Sequence, residues 1–225
     1  MSKLFTIADY LKSTLELKYT PVAVGLFDEA PSGVKPESPR LFCELLWKAL
    51  KEEDMVYATK DNRMCGAVQL GFMSFKDLDQ EVAVAMKRHP ELYKTVDALR
   101  KAISSTVKIP PGKKVVAVAP MNRAPFNPDL IMIVCNPKQA TILTRAASHS
   151  NGVPIQGIAG QGTCSVAIAN PYLTGEVTFT VADVGARAKL GDDEVIVTIP
   201  KRRLEDTVEN VETIMKWLAS QRASE

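Results

Sequence analysis

The chain has 225 residues, 46% of them hydrophobic and 24% charged, and a net charge of +2. That length and composition describe an ordinary globular protein able to bury its own core, without disulfide or metal staples. They exclude a strongly basic nucleic-acid binder and an acidic disordered chain.

In chain order, Leu4, Ile7, Ala8, Leu11 and Leu15 predict a first helix over 4–18. A short strand follows Pro21 over 22–27. Residues 28–40, with three prolines, read as a loop. A helix is expected over 41–50, a strand over 55–59, and a further helix opening over 62–72. Leu78–Lys87 and Pro90–Ile103 read as a helical pair divided at Pro90. Residues 104–114 are the best linker candidate. Val115–Ala119 and Leu130–Cys135 are apolar strands, and Asn136-Pro137 caps a helix that runs to His149. Extended chain over 153–158 leads into glycine-rich 157–164 and a short helix ending near Pro171. Strands over 176–182 and 194–199 and a final helix striped by Leu204, Val208, Val211, Met215 and Leu218 complete the chain.

This mixture predicts a single domain of α/β or α+β class over 1–225: a mixed sheet with flanking helices. Two stretches share an order of strand, helix, strand, turn, cysteine and helix, ending at Cys65 and Cys164. They suggest two pseudo-symmetric halves with a boundary near 104–114. No run is long enough for a transmembrane helix, and Asp9 precedes any long apolar run, so no signal peptide is expected and the protein is expected to be cytoplasmic. No nucleic-acid or membrane partner is expected. The amphipathic last helix could pack on the chain itself or on a second copy, as a homo-oligomer would require. His89 and His149 read as solvated helix-end residues.

Chemistry concentrates on cysteine. Cys43, Cys65 and Cys164 fall near predicted helix starts, where unpaired N–H groups and the helix dipole favour a thiolate or an anionic cluster. Cys135 ends an apolar strand and reads as a core residue. Three soft thiolates suit an iron–sulfur cluster or zinc, and leave one position open for a substrate. The gaps between them match no local metal motif. Gly66, Gly160 and Gly162 could let backbone approach a cofactor, and loop Arg187 could clamp an anion. Gly157-x-x-Gly160-x-Gly162 lacks both the P-loop and dinucleotide signatures. Lys201-Arg202-Arg203, balanced by Glu205 and Asp206, reads as a solvated face. With two peripheral histidines, a Ser/His/Asp triad is not expected.

The set Cys43 with Leu46-Trp47-Lys48-Ala49, Cys65-Gly66-Ala67 with Leu70-Gly71, Ala119-Pro120, Pro128-Asp129-Leu130, Asn136-Pro137 with Gln139-Ala140, Gly160, Cys164, Gly185-Ala186-Arg187 and Pro200 resembles domain of unknown function 169, a prokaryotic family common in anaerobes. The likeness spans about residues 5–205. It implies a one-piece domain with Cys43, Cys65 and Cys164 in recurrent positions, and an anaerobic setting suited to thiolate chemistry. The resulting expectation is an iron–sulfur protein, of 4Fe-4S type, held by Cys43, Cys65 and Cys164. It would serve small-molecule redox or sulfur chemistry, or maturation of an anaerobic enzyme. The alternatives are a non-enzymatic module binding a small anion or cofactor, with structural cysteines, and a metal-free thiol enzyme.

Overall fold

A computed structural model describes residues 3–62, 64–74, 77–88 and 91–222. His89 and Pro90, read above as a helix end and a helix start, lie outside the described residues. The core is a seven-stranded mixed sheet. Its strands are β1 (Val22–Phe27), β2 (Lys35–Pro36), β3 (Val56–Thr59), β4 (Val115–Pro120), β5 (Leu130–Cys135), β6 (Thr178–Thr180) and β7 (Val195–Pro200). The order across the sheet is β2-β3-β4-β1-β5-β7-β6. Only β2 and β3 pair in parallel; the other pairs are antiparallel.

β4 and β5 are buried along their whole lengths because helices cover both faces of the sheet. Alternation along the strands sorts the core into two layers. Val22, Val24, Val116, Val118, Leu130 and Met132 face one side. Ala23, Ala117, Ala119, Ile131, Ile133 and Cys135 face the other. The first layer is covered by α2 (Phe42–Trp47), by residues 64–72, by a π-helical turn over Ser165–Ala169, and by α6 (Asn170–Thr174). The second is covered by α1 (Lys3–Thr14), α5 (Pro137–His149) and α8 (Lys201–Arg222). The fold is therefore α/β. No described helix is long and apolar enough to cross a membrane.

The two pseudo-symmetric halves expected from the sequence are not confirmed. β1 and β5 are antiparallel neighbours at the sheet centre, but α2 and α5, the helices that follow them, lie on opposite faces. Residues 153–158 form no strand but lie along β6, through the bridge Gly157–Phe179 and through Thr178 Oγ1 donating to Gln156 O at 3.0 Å. Segment 104–114, expected to be a linker, is instead a strap on the core. Ile109 is buried, and its N–H donates to Gln69 O at 3.0 Å. It returns the chain from a helical hairpin, α3 (Leu78–Arg88) and α4 (Val96–Ser105), to β4.

The Asn136-Pro137 start of α5 forms as read. Asn136 Oδ1 accepts from Gln139 N at 2.9 Å, and Gln139 Oε1 accepts from Asn136 N at 2.8 Å. The same glutamine donates through Nε2 to Leu15 O at 2.8 Å, fastening the end of α1 to α5. Asn136→Ala should therefore lower stability by about 1 kcal/mol, measured by urea unfolding.

Candidate functional site

Cys43 is the second residue of α2 and Cys164 immediately precedes the π-helical turn over Ser165–Ala169. α2 runs directly into a π-helical turn of its own, Lys48–Glu52. Both cysteine-bearing turns are thus prolonged by π-helix, a rare geometry found mostly at functional sites. The two thiols are buried side by side, within reach of proton sharing.

Cys65 is the exposed member. Its N–H donates to Arg40 O at 2.8 Å and its backbone bridges Leu41, so the chain before α2 and the chain after β3 run side by side. Cys65 lies within electrostatic reach of Cys164. The contact is closest at the next residue. Gly66 has φ +86°, and a Cβ there would lie 2.6 Å from Cys164 Sγ. The structure thus brings together the three cysteines singled out by sequence and packs Gly66 against one of their sulfurs. All four cysteines are thiols, with no disulfide among the described residues.

Cys135 lies in the opposite core layer, across the sheet from Cys43 and Cys164. Burial pushes its thiol up to about 12, so it behaves as a small core hydrophobe.

Two expectations require correction. Residues 64–72 form turns rather than the helix expected over 62–72. Gly66 and Gly71 both take positive φ, and a Cβ at Gly71 would meet Pro110 O at 2.7 Å. Cys65 consequently has no helix dipole behind it. Nor is Cys164 poised as a thiolate. Sharing with Cys43 holds its proton, burial opposes charge, and Cys43, Cys65 and Asp183 add negative potential, so its pKa is raised well above an ordinary thiol. These local terms outweigh the helix start.

The turn carrying Cys164 is held from two sides. Asp183, which caps α7 (Val184–Arg187), accepts from Thr163 N at 2.8 Å, Thr163 Oγ1 at 2.7 Å and Ala186 N at 2.9 Å. Burial works to raise the Asp183 carboxyl, but the hydrogen bonds from Thr163, Ala186 and Gly185 prevail and keep it below its ordinary value. On the other side, Ser165 Oγ donates to Val107 O at 3.0 Å, and Gln161 Nε2 donates to Ser105 Oγ at 3.1 Å. Asp183 was missed because only the folded chain brings it to the cysteine; Thr163 and Ser165 flank Cys164 in sequence, but their partners Asp183 and Val107 do not. Trp47 lies one turn after Cys43 on the same face of α2. Its buried indole N–H has no hydrogen-bond partner among the described residues.

The remaining candidates lie differently. Gly160 takes φ +77°, and neither it nor Gly162 has an atom within 4 Å of its Cβ position. Gly162 O accepts from Ser165 N and Val166 N, opening the helical turn. Arg187 is not a free clamp: its guanidinium donates to the carbonyls of Glu194, Gly191 (2.5 Å) and Asp192 (2.7 Å), winding loop 188–194 around itself. Among the described residues, no group of three or more His, Cys, Asp or Glu side chains stands ready around a common metal position. The pair Cys43–Cys164 is in place, and Cys65 stands beside it.

The family model DUF169, described as uncharacterised ArCR, matches residues 10–210. The uncharacterised protein MJ0308 of Methanocaldococcus jannaschii is 28% identical over 196 residues, covering 82% of each chain. No solved structure matches.

Proposed function

The chain belongs to the DUF169 family, and from that premise we propose that it is a cysteine-ligated iron–sulfur protein of 4Fe-4S type, held by Cys43, Cys65 and Cys164. It would serve small-molecule redox or sulfur chemistry, or the maturation of an anaerobic enzyme. The observation that carries the reading is the convergence of these thiols: Cys43 beside Cys164, with Cys65-Gly66 laid against the same sulfur. Thiolates are the ligands such clusters take, and an exposed Cys65 leaves the site reachable from solvent. The orphaned Trp47 indole N–H is a donor of the kind that tunes cluster sulfur. A raised Cys164 pKa means that the bound cation must displace the thiol proton, so loading should release protons.

The test is anaerobic purification and reconstitution, with iron and acid-labile sulfide counted per chain. Brown protein with stoichiometric iron and sulfide, lost in Cys164→Ser and Cys43→Ser, is the expected result. Colourless wild type without iron under strict anaerobiosis would sink the proposal. The Cys43–Cys164 contact also favours a second reading, a metal-free dithiol. It requires a Cys43–Cys164 disulfide to form in mild oxidant, detected by peptide mass spectrometry.

A further inference from the structure

We propose a second binding site, at the sheet end where β5 begins and β7 stops, for a small carboxylate bearing a hydroxyl or amine on the neighbouring carbon. It rests on no thiol chemistry, and its failure would leave the iron–sulfur reading where it stands. A groove of about 340 Å³ opens there, lined by Asn127, Asp129, Tyr172, Lys201 and Arg202 among others.

Asp129 is fixed at its base. Its N–H donates to Val24 O at 2.9 Å, its carbonyl accepts from Lys201 N at 2.8 Å, and its Oδ2 accepts from Leu26 N at 2.8 Å. Its other carboxylate oxygen makes no hydrogen bond among the described residues and can accept one from a ligand. Arg202 is equally fixed, donating from Nε to Gly175 O at 3.1 Å and from Nη2 to Thr174 O at 2.5 Å. Gly175 takes φ +63°, and the Arg202 guanidinium occupies the space its Cβ would fill. In the cluster Lys201-Arg202-Arg203, read as a solvated face, Arg202 stays exposed and only Arg203 is largely buried. Arg203 donates to Ala147 O at 2.7 Å and pairs with Glu176 at 2.6 Å.

Lys201 makes no ion pair among the described residues. Lys113 stands outside the lining, 5.7 Å from the Tyr172 ring centre and within electrostatic reach of Asp129 and Asp28. Among the charged residues that line the groove, the two cations Lys201 and Arg202 outnumber the one anion, Asp129, and Glu176 lies 4.0 Å from Arg202 outside that lining. That balance selects an anion, and the open Asp129 oxygen selects one that also donates. The Tyr172 ring offers an apolar wall. Tyr172 lies eight residues beyond Cys164 along one helical run, on the order of 12 Å, so the groove is distinct from the thiols.

The probes are lactate, propionate and inorganic phosphate, each titrated into full-length metal-free protein while amide resonances are followed by NMR. Lactate should shift Asn127, Tyr172 and Lys201 saturably and bind about tenfold more tightly than propionate. Lys201→Met, a change at a partly exposed side chain, should weaken lactate about tenfold. Asp129→Asn should erase the preference for lactate over propionate. The proposal is overturned if lactate shifts nothing in the groove, if Lys201→Met leaves its affinity unchanged, or if propionate or phosphate binds as well as lactate.

Discussion

Gly66→Ala should cost about 2–4 kcal/mol in urea unfolding, against about 1 kcal/mol for Gly160→Ala. Both glycines take positive φ, +86° and +77°, so both substitutions incur the backbone penalty of an L residue there. Their surroundings differ. The Gly160 position faces open space, whereas a methyl at Gly66 would press on Cys164 Sγ at 2.6 Å and on Cys164 Cβ at 3.3 Å. Cys164 has little freedom to retreat, being buried beside Cys43. The excess over Gly160→Ala therefore measures the packing between the Cys65-Gly66 turn and the thiol pair. Equal losses in the two variants would mean that the turn does not rest on the sulfur. In the iron–sulfur reading, Gly66→Ala should also lower the iron retained per chain, because the added methyl competes with cofactor for the same space.

The legible parts of the fold were those in which local pattern and tertiary burial agree. Val115–Ala119 and Leu130–Cys135 are contiguous apolar runs, and they became the fully buried β4 and β5. Asn136, Pro137 and Gln139 carry the capping chemistry within four consecutive residues, so α5 began where read. Residues 62–72 misled because Ala67 and Leu70 are spaced as on a helix, while Gly66 and Gly71 are required in conformations that end one. Thr95, not Pro90, caps α4, its hydroxyl accepting from Ala98 N. The two-residue β2 had too little length to leave a pattern.

At the site, the separation of Cys135 from the other three cysteines was readable, since the strand it ends is buried along its length. The sign of the Cys164 shift was not. Helix-start arguments consider one backbone turn, and the decisive partner, Cys43, lies 121 positions earlier. Arg187 misled for a related reason. An arginine among glycines and aspartates resembles an anion clamp until the loop folds and presents its own carbonyls first. Conversely, the basic cluster after Pro200 looked ordinary because nothing local links Arg202 to Gly175.

Asp183→Ala should cost about 2–4 kcal/mol at neutral pH and uncouple Cys164 from its scaffold. The carboxylate accepts from Thr163 N, Thr163 Oγ1 and Ala186 N, and the Thr163 hydroxyl accepts in return from Asp183 N at 3.0 Å. Removing it leaves the buried Thr163 without its acceptor and uncaps α7. The loss should depend on pH in a definite sense. The folded-state pKa lies below the ordinary 3.8, so the stability that the carboxylate contributes is fully present above the unfolded value, and is lost as pH falls through the folded one. Wild type and variant should therefore differ most near pH 7 and converge as the solution is acidified below about pH 4. A gap that stays constant with pH would assign the loss to packing rather than to the charged acceptor. Alkylation supplies the functional readout. Exposed Cys65 should react first in both proteins, whereas buried Cys164 should react appreciably faster in Asp183→Ala than in wild type under native conditions. If the variant unfolds at pH 7 yet protects Cys164 whenever it is folded, Asp183 stabilises the domain without positioning its thiol.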